Sequence, residues 1–191
     1  MIKDLIISIF TPTKGEIGAI GTGYPIAENL ILTSRHVVHP EQCDDEYSIW
    51  LLWHYYADEG IENKGWIEVS SADIVWEGKG ALDAALVRCP RPEKAQGKGW
   101  GMIADKKPPF DKSWQSTGFP RATRYENECD PDEVSGTTEF MAAQADYFVL
   151  NVTSSPKDSA MWKGASGMPV FVHDEILGVV RSVPKNFVTS Q

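Results

Sequence analysis

The chain has 191 residues, 42% of them apolar and 24% charged, with a formal net charge of -9. That length and balance describe a soluble globular protein, either one domain with a sizeable core or two small halves packed together. The acidic charge argues against a binder of nucleic-acid backbones, and no apolar stretch is long enough to cross a membrane as a helix.

In chain order, Leu5 to Phe10 is β-branched and apolar and predicts a first strand. Gly15, Gly18, Gly21 and Gly23 punctuate a second strand region, where glycine marks bulges or tight bends. Asn29 to Thr33 predicts a third strand, running into a helical stub at Ser34-Arg35-His36-Val37-Val38. Tyr47 to Trp53 is strongly β-prone, and Trp66 to Trp76 reads as one further strand. The apolar run Ala81 to Val87 follows, and then a stretch rich in Pro, Gly and Lys from Pro90 to Pro109, which predicts a connection between two halves. Beyond it, Ser113 to Phe119 predicts a strand and Glu126 to Glu133 an exposed acidic loop. Phe140 to Ala143 pairs with Tyr147 to Thr153, and Met168 to His173 with Ile176 to Arg181 around a turn at Asp174-Glu175. Many short strands with no long helical period predict an all-β sandwich or barrel.

Cys43, Cys89 and Cys129 are odd in number, far apart and without metal-ligand spacing, which predicts reduced thiols and a cytoplasmic location. The N-terminal residues predict no signal peptide. Trp50, Trp53, Tyr55 and Tyr56 read as core aromatics rather than a binding platform.

Three residues stand out chemically. His36 closes a strand, a position open to structural and catalytic histidines alike. Asp83 lies inside an apolar run, where a carboxylate is costly unless paired. Ser166 sits in Gly164-Ala165-Ser166-Gly167-Met168-Pro169-Val170, where glycines let the chain turn tightly and expose a hydroxyl. On such a turn the backbone N–H groups of Gly164 and Ser166 can point at one spot and bind a developing oxyanion.

His36-Val37-Val38, Asp83-Ala84-Ala85-Leu86-Val87 and the Ser166 turn occur in the order His, Asp, Ser. In that order they resemble the trypsin-like (chymotrypsin-fold) serine peptidases, most of all the bacterial Deg-type and related domains. Gly21-Thr22-Gly23 resembles the family's G-[ST]-G segment, and Gly178-Val179-Val180 resembles its pocket-lining strand. The resemblance implies two packed six-stranded antiparallel β-barrels: residues 1–95, a connection at 96–110, and residues 111–191. It implies a serine endopeptidase with His36, Asp83 and Ser166 as catalytic residues, an oxyanion hole at Gly164 and Ser166, and no cofactor or metal. The substrate is then a protein or peptide, with no nucleic acid or membrane as partner.

The chain departs from the family in several places. It has no Ile-Val-Gly-Gly-like activation segment, and it ends soon after the Gly178 strand. The first departure fits an intracellular protein; the second suggests either that the barrel closes differently or, in preference, that the chain is a catalytic domain of a longer protein, resembling effector or regulatory protease modules that work with a sensor protein or a fused C-terminal domain in bacterial defence systems. Ala160 stands where the trypsin-type pocket aspartate would fall, and Arg181 where the family has a small residue. With Met161, Val180 and Ser182 these are the residues expected to line the substrate pocket, which predicts a small or uncharged side chain before the scissile bond. Two rival readings are a latent protease awaiting a partner and a pseudoprotease used as a protein-binding module.

Overall fold

Ile7, Ile9 and Thr11 are buried while Ser8 and Phe10 between them are half-buried. Ile7–Thr11 (β1) therefore turns one face to the core, as alternation along a strand requires. Ser48–Trp53 (β4) repeats the pattern, with Ile49, Leu51 and Trp53 wholly buried. The computed structural model describes residues 3–14, 18–56, 65–79, 82–106, 111–119, 124–125, 128–129, 131–138, 150–154 and 162–181. Its first sheet comprises β1, Ala19–Ala27 (β2), Leu30–Thr33 (β3), β4, Ile67–Ser70 (β5), Ile74–Glu77 (β6) and Ala85–Arg88 (β7).

The strand order is β5-β4-β1-β2-β3-β7-β6, and every neighbouring pair is antiparallel. The two edges, β5 and β6, are consecutive in the chain and joined only by the 3-10 turn Ser71–Asp73. The sheet must curl for its edges to meet there. The Asp73 carboxylate accepts from the Ser70 N–H at 3.0 Å and fixes that corner. This turn divides the single strand expected from Trp66 to Trp76, so the first barrel sheet has seven strands instead of six.

The second sheet has the order β13-β12-β9-β14-β15-β8. Its members are Met102–Ile103 (β8), Ser113–Gly118 (β9), Asp132–Thr138 (β12), Leu150–Ser154 (β13), Pro169–Val172 (β14) and Glu175–Val179 (β15), with Arg124–Tyr125 (β10) and Glu128–Cys129 (β11) as a separate small ladder. Three details differ from the sequence reading. β12 includes the end of the expected acidic loop, paired on both sides by β9 and β13. β8 lies inside the expected connection and pairs with β15, in parallel. The last turn is at His173-Asp174, whose φ of 53° and 74° fit a two-residue hairpin loop of type I′. The Phe140 to Ala143 strand lies outside the described residues.

The two sheets share a core. Tyr24 of β2 meets Phe171 of β14 edge-on at 5.2 Å, and Phe119 and Ile176 join the cluster of Ile9, Ile31 and Leu51. Among the aromatics expected in the core, Trp53 is fully buried, Trp50 and Tyr56 are half-buried, and Tyr55 is exposed. Among the described residues no helix is long and apolar enough to cross a membrane.

Candidate active site

β3 ends in buried Thr33, buried Ser34 follows, and the chain then makes a single helical turn, Arg35–Val38 (α1). Val37 and Val38 are buried, which leaves Arg35 and His36 on the exposed side. Asp83 precedes β7 and is not part of it. The Gly78 N–H donates to the Ala84 carbonyl at 2.8 Å, closing the loop that delivers Asp83. Leu82 is turned outward and Asp83 inward, so the apolar run splits at the carboxylate.

The carboxylate grips His36 at two points. The His36 Nδ1–H donates to Asp83 Oδ2 at 2.6 Å, and the His36 backbone N–H donates to Oδ1 at 3.0 Å. An ionised carboxylate only accepts, so the proton belongs on Nδ1 and the Nε2 lone pair is left available. Burial alone would raise the Asp83 pKa. The two hydrogen bonds from His36, its charge and that of Arg181 outweigh this, and the carboxyl is held below its ordinary value.

Ser166 is the second residue of the latter of two successive β-turns that share Ala165. Ala165 N–H donates to the Trp162 carbonyl at 2.9 Å, and Met168 N–H donates to the Ala165 carbonyl at 3.1 Å. The third residues of these turns, Gly164 and Gly167, have φ of 94° and 84°, whereas Lys163 and Ser166 have no positive φ. Both are therefore type II turns, which need glycine at that position. A Cβ on Gly164 would lie 2.3 Å from the Phe119 carbonyl oxygen, and one on Gly167 2.0 Å from that of Thr22.

Two peptide groups of this segment are held at both ends. In the Gly164–Ala165 peptide, the N–H reaches Trp162 and the carbonyl accepts from Thr22 Oγ1 at 3.1 Å. In the Ser166–Gly167 peptide, the N–H donates to Val180 O and the carbonyl accepts from Thr22 N–H, each at 2.8 Å. Among the described residues, the N–H groups of Gly164 and Ser166 donate to no acceptor. Backbone N–H groups away from solvent are nearly always paired within a protein, so two donors left over beside one hydroxyl are available to water or a ligand.

One carbonyl joins the two halves of the site. Val180 O accepts from Ser34 Oγ at 2.9 Å and from Gly167 N–H at 2.8 Å. Ser34 precedes α1 and Gly167 follows Ser166, so the histidine and the serine hang from the same atom. The Ser166 hydroxyl donates to the Arg181 carbonyl at 3.5 Å, and among the described residues no hydrogen bond links it to His36. The Arg181 side chain is half-exposed, with Nε 3.8 Å from Asp83 Oδ2.

The structure thus joins His36 to Asp83 directly, and both to the Gly164–Ser166 segment through Ser34, Val180 and Arg181. Ala160, Met161 and Ser182 lie outside the described residues. Thr22, Thr33 and Ser34 were not singled out as site residues. Their signal was three hydroxyl groups on buried strand positions, each needing a partner.

No protein-family model and no curated protein matches this sequence. Solved structures do. The Rv3671c protease of M. tuberculosis in its active form superposes with a TM-score of 0.64 at 12% identity, over 98% of this chain and 74% of that one. Deg5 gives a TM-score of 0.55 at 14% identity, over 98% of this chain and 83% of that one. A scabies mite inactivated protease paralogue, S-I1, gives 0.61 at 17% identity, over 95% and 84%. The chain has the fold of the trypsin-like serine peptidases. In this peptidase fold the two sheets are the two barrels, and the His36–Asp83 pair and the Ser166 turn belong to opposite barrels. The fold alone does not fix activity, since the similar structures include both an active protease and an inactivated one.

Proposed function

We propose that this chain is a serine endopeptidase with a His36, Asp83 and Ser166 triad. The observation that carries the reading is the two-point grip of Asp83 on His36, tied through Ser34 and the Val180 carbonyl to a segment where, among the described residues, the Gly164 and Ser166 N–H groups have no partner. Ser166 Oγ attacks the substrate carbonyl while His36 Nε2 takes its proton and later passes it to the leaving amine. Asp83 keeps the ring in the Nδ1–H tautomer and stabilises the imidazolium. The N–H groups of Gly164 and Ser166 bind the oxyanion, each such donor being worth about 10²–10³ in rate. Water then hydrolyses the acyl-enzyme. The substrate is a protein or peptide, and Val180 and Arg181 border the site that takes its side chain before the scissile bond. An intracellular effector or regulatory setting agrees with the free thiols of Cys43 and Cys89.

One observation favours a second reading. The Ser166 hydroxyl rests on the Arg181 carbonyl, which agrees with a latent enzyme that a partner or further domain brings into line. A fluorophosphonate probe separates these readings. Labelling of the parent and not of Ser166→Ala, detected by mass spectrometry, supports an armed nucleophile. Labelling only after a partner is added supports latency. Failure to label with or without a partner would sink the peptidase reading and leave a protein-binding module.

A further inference from the structure

We infer that Thr22 is a positioning residue which holds the Gly164–Ser166 segment with its two N–H groups aimed at the substrate. The inference rests on the peptidase reading and adds a residue to it. Thr22 lies on β2, in the first barrel, and is wholly buried. Its N–H and hydroxyl are engaged across the junction with the second barrel, and its carbonyl with β3 of its own sheet. Its N–H donates to the Ser166 carbonyl at 2.8 Å, and its carbonyl accepts from Thr33 Oγ1 at 2.7 Å. Its hydroxyl donates to the Gly164 carbonyl and accepts from the Phe119 N–H, each at 3.1 Å.

The direction of the Gly164 N–H depends on the Gly164 φ, and a type II turn can relax to type I by flipping the peptide ahead of its third residue. Such a flip turns that N–H to the opposite side. The Gly164 carbonyl belongs to the following peptide, and Thr22, by holding it together with the Ser166 carbonyl, fixes the frame from which both N–H groups are hung. The Phe119 carbonyl limits the other side of Gly164, at 2.3 Å from where a Cβ would stand. Thr22 in turn is fixed by the Phe119 N–H, so the device is a clamp of two residues around one glycine. Its hydroxyl cannot be replaced by a methyl without stranding both the Gly164 carbonyl and the Phe119 N–H. Ala165, the residue between the two turns, is buried and carries no charge that could hold the segment by an ion pair, so the hydroxyl takes that task.

Three variants test this. Thr22→Val keeps the shape and removes the hydroxyl, and Thr22→Ser restores it. The expected result is a fall in kcat and in fluorophosphonate labelling rate of about 10²-fold for Thr22→Val, with KM changed by less than about threefold. Thr22→Ser should return to within about tenfold of the parent. A purely structural role would lower thermal stability and leave the kcat of the folded fraction unchanged, which would overturn the inference. Crystal structures of the parent and Thr22→Val read the turn without any need for activity. A positive Gly164 φ in both would overturn the inference, and a flip in the variant would uphold it even if the parent proved inert and the peptidase reading failed. Should Thr22→Val not fold, Thr22→Ala is read in the same two ways.

Discussion

Arg181 Nε stands 3.8 Å from Asp83 Oδ2, the same oxygen that accepts the His36 Nδ1–H at 2.6 Å. A carboxylate that turns to an imidazole on one side therefore meets a guanidinium on the other. Both lower its proton affinity. A carboxyl depressed in the folded state contributes stability above its unfolded value of about 3.9, and that stability is lost as pH falls through the lower folded value. Arg181→Met removes one lowering cause, so acid unfolding should begin at higher pH. The shift should be less than about one unit, because exposed pairs are worth at most ~1 kcal/mol. Tryptophan fluorescence during acid titration measures it, and coincident curves would show that the contact carries nothing.

Asp83→Asn keeps the shape of the site and loses the acceptor-only character that puts the proton on Nδ1. The amide can donate to Nδ1, which moves the ring proton to Nε2 and takes away the lone pair a general base needs. A fall in kcat of about 10⁴-fold is expected with the fold retained. Steady-state cleavage of a peptide library substrate, alongside circular dichroism, measures both. A loss of less than about tenfold would show that Asp83 is not orienting the base.

Gly164→Ala places a Cβ where the Phe119 carbonyl oxygen is only 2.3 Å away, at a φ of 94° that L-residues rarely adopt. The conformational penalty alone is about 1–2 kcal/mol. The turn should escape by flipping, with a loss of about 10²–10³ in labelling rate as one oxyanion donor turns away. The outcome to watch is whether labelling falls by much more than the melting temperature explains.

Arg91 is nearly buried and has carbonyl groups as its acceptors. Its guanidinium donates to Glu28 O at 3.1 Å, Ala27 O at 3.4 Å, Ala95 O at 3.3 Å and Gly99 O at 2.8 Å, and it covers the Trp53 ring at 5.3 Å. It ties the β2–β3 turn to the start of the inter-barrel connection. Arg91→Ala strands those acceptors and should cost roughly 3 kcal/mol or more, seen as a lower denaturant midpoint at unchanged slope. Arg91→Lys should recover only part, because an ammonium cannot reproduce the fork.

Much of this was legible from the residues. The β-branched runs placed β1, β3 and β4 within a residue or two, because their alternation is local. Ser166 and its glycines were visible because positive φ is encoded by residue type. The single strand expected from Trp66 to Trp76 was not single, since Ser70 and Asp73 form a side-chain corner that periodicity does not register. Asp132–Thr138 was read in part as loop because its acidic start is polar, yet neighbours on both sides hold it as a strand. The direction of Arg181 was also hidden. An arginine on a strand end has the reach to face solvent, pocket or carboxylate, and only the placement of Asp83 from the other barrel decides it. Thr22 was seen as a motif letter without a role, because its partners Gly164 and Ser166 lie more than a hundred residues away in sequence.

Met102–Ile103 belongs by sequence to the tether between the barrels and by hydrogen bonding to the edge of the second one. The tether thus has little slack. At its start Arg91 anchors it to the first barrel, and at β8 it is zipped to β15, the strand that runs on into Val180 and Arg181. Any breathing motion that parts the barrels must peel this ladder or tug on the carbonyl that carries both Ser34 and Gly167. Strain applied at the connection, far from the serine in sequence, therefore has a direct mechanical path to the spacing between Ser166 and His36.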